Sequence, residues 1–123
     1  MTQIQILIQD LFVHLAERGW DKPNPASLAK SIIIEAAELL EHFQWSEPDV
    51  EKLHSDKLKF QKTKEELADV LIYCLEMAKI LDLDPEDIIR EKILLTAKKY
   101  PAQIVKGSNK NYWDLKRKAR SKE

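Results

Sequence analysis

Glycine is almost missing from this chain: Gly19 and Gly107 are the only two in 123 residues. With only five prolines besides, the sequence lacks the turn residues that a sheet of short strands needs at each reversal. That excludes a hairpin-rich β architecture and favours long helices with few connections. Cysteine is represented by Cys74 alone, so no internal disulfide can form. Its place in an apolar helical run makes a buried structural thiol the expected state. No signal peptide is recognisable, and no apolar run approaches the ~20 residues of a membrane span. A cytoplasmic protein without a membrane partner is expected. A large net charge is also lacking, but the overall −1 hides an asymmetry: residues 102–123 carry +5 and residues 1–101 carry −6. An acidic body argues against a nucleic acid polymer as partner. Together with a basic tail, it suits metal ions followed by a small polyanion. The expected organisation is one helical domain over 1–101 and a partly ordered basic tail over 102–123.

What is present is helical periodicity. Ile4, Leu7, Ile8, Leu11, Phe12 and Leu15 recur at steps of three and four, which predicts a helix over 2–18 that Gly19 stops. Asn24 followed by Pro25 is a strong helix start. It opens a second helix to about Gln44, whose apolar residues occupy more than one face and predict packing on several sides or at a subunit interface. Ser46, with Asp49 three residues on, predicts the cap of a short polar helix. A long third helix is expected from about Leu58 to Leu81, with Leu67, Val70, Leu71, Cys74, Leu75, Ala78 and Leu81 in the core. Asp84-Pro85 repeats the cap-then-proline start, and that fourth helix runs to Lys99 before Tyr100-Pro101 ends it. Gly107-Ser108-Asn109 reads as a break before a short helix at 112–120. The fold class is all-α, a bundle of four principal helices in one domain.

Two acidic pairs stand out within the apolar runs: Glu35 and Glu38 on the second helix, Glu66 and Asp69 on the third. Residues three apart share a helix face. His42 continues the first strip, and Tyr73 and Glu76 continue the second. Carboxylates set among Ile, Ala, Leu and Val are costly to bury unpaired, so something must compensate them. Four carboxylates without Cys or His ligands suit a hard divalent cation, Mg²⁺ or Mn²⁺, and point to phosphate chemistry. Trp45 lies one turn beyond the first acidic strip, which His42 ends, and Tyr73 one turn past the second pair. With Trp20, they are candidates to stack on a base. The competing reading is a non-catalytic helical interaction module whose acidic pairs are salt-bridged, with Lys30, Lys64 and Lys79 as partners.

The stretch Glu35-Ala-Ala-Glu-Leu-Leu-Glu-His-Phe-Gln-Trp45, 27 residues between Glu38 and Glu66, and then Glu66-Leu-Ala-Asp-Val-Leu-Ile-Tyr73 together resemble the signature of the MazG-like all-α nucleoside triphosphate pyrophosphohydrolases. Lys99-Tyr-Pro-Ala102, with Gly107, Ser108, Lys110 and Tyr112, is similar to the dCTP pyrophosphatase-like branch, as is Trp20 after Glu17-Arg18. The resemblance implies Mg²⁺-dependent hydrolysis of (deoxy)nucleoside triphosphates to monophosphate and pyrophosphate, in nucleotide-pool housekeeping. It places Glu35, Glu38, Glu66 and Asp69 as metal ligands, with Glu35 or Glu38 as the catalytic base. Lys92, Lys99 and Tyr100 fall at its phosphate side, and Lys106 and Lys110 are candidates to close over the phosphates. It also implies a homodimer or homotetramer. The chain departs from the pattern at Thr96, where many relatives carry Asn, and at His14, which is three residues from the place of a histidine used by some dCTP-selective relatives.

Overall fold

The computed structural model describes residues 1–106 and 112–121. It contains helices α1 (Gln3–Ala16), α2 (Pro25–Glu41), α3 (Val50–Ser55), α4 (Lys57–Ile80), α5 (Pro85–Lys99), α6 (Ala102–Val105) and α7 (Tyr112–Arg120), with no strand among the described residues. The all-α class and the four principal helices are as the periodicity predicts. The expected break at Gly107-Ser108-Asn109, and Lys110, lie outside the described residues. Packing divides the chain into two units, Met1–Pro85 and Glu86–Glu123.

In the first unit, each helix begins where a side chain satisfies its free amides. Thr2 and Gln5 form a reciprocal capping box on α1. The Asn24 side chain accepts from the Ser27 amide at 2.8 Å, ahead of Pro25, and opens α2 as predicted. Asp56 does the same for α4, accepting from the Lys59 amide at 3.1 Å. The start of α3 corrects the sequence reading. Its cap is Asp49, which accepts from Lys52 N at 2.9 Å, not Ser46. The cause is Pro48, which drives the residue before it, Glu47, into extended conformation and delays the helix. Ser46 instead accepts from Lys59 Nζ at 3.0 Å.

The ends of α1 and α4 are built alike. Gly19 adopts a left-handed φ of 72°, and the Trp20 amide donates back to the Leu15 carbonyl at 2.9 Å. At the end of α4 the left-handed residue is Asp82, φ 57°, and the Leu83 amide donates to the Ala78 carbonyl at 2.8 Å. The first of these turns sets the position of Trp20.

Helix α4 is the hub, packing along α2 and touching α1 and α3. Ile8, Leu15, Leu28 and Ala78 form the fully buried apolar core. The inward face of α4 differs from the expected one. Cys74 is exposed, and Leu67, Leu71 and Leu81 are about half exposed, Leu71 at 54%. Acidic Glu76 is buried instead. The acidic strip and the apolar row are offset by one residue, about 100° around the helix. With Glu66, Asp69 and Tyr73 turned inward, Leu67, Leu71 and Cys74 are carried outward. On α2, Ile33 is 69% exposed, and Ile34 and Leu40 are also open.

In the second unit, α5 carries Glu86 and Asp87 in its first turn and Lys98 and Lys99 in its last, both favourable to the helix dipole. Arg90 donates to Glu86 at 2.9 Å one turn away. Helix α7 occupies the predicted 112–120.

A left-handed backbone costs a non-glycine residue about 1–2 kcal/mol. Asp82→Gly is therefore expected to stabilise the protein by about 0.5–1 kcal/mol. Urea denaturation of the two proteins checks this, and an unchanged or lower midpoint refutes it.

Candidate active site

The facing surfaces of α2 and α4 bring three carboxylates together. Glu35 and Glu38, one turn apart on α2, and Glu66 on α4 each offer one oxygen, all within 4.8 Å of one another. All three side chains are half-buried. Glu35 Oε2 and Glu66 Oε2 are buried without a hydrogen-bond partner among the described residues. None of Glu35, Glu38, Glu66 or Asp69 has an ion-pair partner there either. That removes the support for a salt-bridged interaction module, since Lys30, Lys64 and Lys79 do not neutralise the pairs.

Like charges this close cannot all ionise without cost. The Glu35 carboxyl is raised from the ordinary 4.5 to about 7. The main cause is the side-chain approach of the Glu38 carboxyl; burial and the charges of Glu38, Asp69 and Glu66 add to this. Glu66 is also raised, by burial first, then by the side-chain approach of Glu38 and the charges of Glu38 and Asp69. His42, at the end of α2, pulls Glu66 back down. Asp69 stands outside the tight trio, but its charge reaches both Glu35 and Glu66.

The donor set consists of oxygens only. Two oxygens on one ion lie no further apart than twice the metal–oxygen distance, about 4–5 Å. The trio, within 4.8 Å, meets the upper end of that range and has to draw together slightly for an ion as small as Mg²⁺, and its buried oxygens lack any other partner among the described residues. These residues therefore fit a hard divalent cation.

A cavity of about 350 Å³ adjoins the cluster. Asp69, Tyr73 and Glu76 line it from α4, Trp20 from the turn after α1, and Ser31 from α2. That is the lower end of the size range of small-molecule sites. The Tyr73 phenol is pushed up, by burial first and then by the charges of Glu35, Glu76, Asp69 and Glu38, so it stays neutral.

Of the predicted site residues, the structure thus brings together Glu35, Glu38 and Glu66, with Asp69, Tyr73 and Trp20 alongside. His14 also lines the cavity. Trp45 does not line it and is 89% exposed. Lys92 and Lys99 are exposed on α5, and Tyr100 and Lys106 follow in the same second unit. The burial of Glu76 is not visible in the sequence. Its only signal is its place three residues after Tyr73 on the strip begun by Glu66.

Fold and site together define an all-α protein with an oxygen-only carboxylate centre between two helices. The chain belongs to the MazG-like family, whose model matches residues 30–115. The family read from the motifs is thereby borne out. The chain is similar to dCTP pyrophosphatase 1 of Rattus norvegicus, 32% identical over 106 residues, which cover 83% of this chain and 61% of that one. It is likewise similar to dCTP pyrophosphatase 1 of Homo sapiens, 31% identical over 104 residues, covering 81% and 60%. The chain thus spans about three fifths of the length of these curated relatives. Among solved structures, a pyrophosphatase from Archaeoglobus fulgidus DSM 4304 superposes with a TM-score of 0.71 at 34% identity, covering 82% of this chain and 94% of that one.

A raised carboxyl makes the folded state hold its proton more tightly than the unfolded state. For Glu35 that contribution is complete below 4.5 and is lost as pH rises to about 7. Without divalent cations, the melting temperature is expected to fall across this window. Glu35→Gln should flatten the fall, and millimolar Mg²⁺ should reverse it in the wild type only. A pH-independent melting temperature, or an equal Mg²⁺ response in the variant, refutes the assignment.

Proposed function

We propose that the protein hydrolyses nucleoside triphosphates, deoxynucleotides included, to monophosphate and pyrophosphate. The observation that carries this reading is the convergence of Glu35, Glu38 and Glu66, with Asp69 beside them lining a cavity of about 350 Å³. Those four carboxylates would hold the metal, Mg²⁺ first and Mn²⁺ as its substitute. A bound divalent cation supplies positive charge where negative charge builds around the α-phosphorus. Glu35 and Glu38 supply the proton acceptor: a carboxylate oxygen of the pair takes the proton of the attacking water.

The base occupies the cavity against Trp20 and Tyr73, and Trp45 belongs to the same substrate-binding set through the family resemblance. Lys92, Lys99, Tyr100, Lys106 and Lys110 serve the phosphates on the same ground, the last two from a basic tail that follows a helical domain over 1–101. The activity for which these relatives are named makes dCTP the first substrate to try. The working form is a homodimer or homotetramer, because Ile33, Ile34, Leu67 and Leu71 leave apolar faces open. The role is nucleotide-pool housekeeping in the cytoplasm.

The test is a panel of dNTPs and NTPs with Mg²⁺. Monophosphate and pyrophosphate are expected, and Glu38→Ala should lower kcat by about 10²–10⁴-fold with the melting temperature maintained. No turnover by the wild type, release of orthophosphate in place of pyrophosphate, or a fully active variant refutes the reading. In sedimentation, Leu71→Glu is expected to shift the oligomer towards monomer; an unchanged mass refutes that interface.

A further inference from the structure

Glu76 has no part in the chemistry above, yet it is the one charged side chain that is fully buried among the described residues, 4% exposed. It has no hydrogen-bond or ion-pair partner among them. It lines the same cavity as Trp20, Tyr73 and Asp69. Its oxygens are not among the buried atoms left without a partner, so the little solvent access the residue keeps belongs to its carboxyl, and a ligand that displaces that water must replace its hydrogen bonds. The open side of Glu76 is the cavity, so the partner belongs to what the cavity receives.

The geometry along α4 says which part of a nucleotide that is. Asp69 and Glu76 are seven residues apart on one helix, about 10 Å along its axis. Tyr73 lies between them. A nucleotide with its phosphates at the carboxylate cluster directs its sugar along Tyr73 and its base towards Glu76, with Trp20 as the stacking face.

We propose that Glu76 is a specificity-determining residue of this pocket: its carboxyl accepts a hydrogen bond from the exocyclic amino group of the base, so that cytosine and adenine nucleotides are preferred to those of thymine and uracil. The proposal rests on the pyrophosphohydrolase reading for the end of the cavity at which the phosphates lie.

The chemistry is asymmetric. A carboxyl presents an acceptor oxygen in either protonation state, so an amino group is always accommodated. Thymine and uracil put a keto oxygen in the same place. That oxygen needs the acid proton itself and is refused by the ionised form. Burial raises the Glu76 carboxyl above its ordinary range. The neutral acid, with one donor and one acceptor, matches cytosine and thymine equally, so the preference belongs to the ionised form and strengthens as pH rises.

The test compares the wild type with Glu76→Met and Glu76→Gln, each checked first by melting temperature. With Mg²⁺ and dCTP, dATP, dTTP and dUTP as substrates, Glu76→Met is expected to lose about ten- to a hundredfold in kcat/KM on dCTP and dATP, and much less on dTTP and dUTP. Glu76→Gln, which keeps a carbonyl acceptor, should retain turnover of dCTP and dATP. The second readout needs no turnover: quenching of tryptophan fluorescence by dCMP and dTMP in the presence of a chelator. The wild type should bind dCMP more tightly, and Glu76→Met should equalise the two. Equal binding of dCMP and dTMP by the wild type, or a uniform loss on all four substrates in Glu76→Met, overturns the proposal. Failure of the wild type to release pyrophosphate refutes the pyrophosphohydrolase reading instead, and the binding comparison still decides the role of Glu76.

Discussion

Mutual repulsion among carboxylates, held within 4.8 Å of one another between α2 and α4, is the constraint on which the rest of this structure depends. A folded chain does not place Glu35, Glu38 and Glu66 together for stability. Each would be better solvated apart, and two of their oxygens have no partner among the described residues. The remaining contacts must hold the two helices in register against this repulsion. Leu28, buried on α2, and Ala78, buried on α4, supply part of that hold, and Ile8 and Leu15 on α1 add to it. The caps at Asn24 and Asp56 fix where each helix begins, and so which residues share a face. Positive charge placed among the acids converts the repulsion into attraction. A site of this kind is poised to bind because it is strained without its ligand.

The same constraint accounts for the inverted look of α4. A helix with one apolar side normally buries it. Here the side towards α2 carries acids, a phenol and Glu76, and the row Leu67, Leu71, Cys74 faces away from it. About half of the leucine surface at these positions is left uncovered within one copy of the chain.

Local features were the most legible in the sequence. The helix starting at Asn24-Pro25 and the fourth helix ending at Lys99 depend on residues a few positions apart, and both fall where the pattern places them. That Glu35 and Glu38 share a face was legible from their spacing of three, but that Glu66 joins them and Asp69 stands outside the trio depends on how the two helices pack. Ser46 and Asp49 show the limit: both are good caps, and only the constraint that Pro48 places on Glu47 separates them. Cys74 and Glu76 show a deeper limit. Apolar residues occupy α4 on several sides, so periodicity cannot say which side is inside. A carboxylate is assumed exposed until a tertiary neighbour excludes water from it. Neither fact is written within one helical turn of the residue concerned.

Helix α4 also acts as a ruler. Glu66, Asp69, Tyr73 and Glu76 ride on one rigid element, and from first to last they span about 15 Å. The separation between the charged end and the far end is therefore set by backbone geometry, not by loops that drift. One inserted residue would rotate everything beyond it by about 100° and part the two ends. A single substitution at the far end leaves the other untouched. A lineage built on such a helix can revise what it recognises one position at a time, while the length of the molecule it accepts stays fixed.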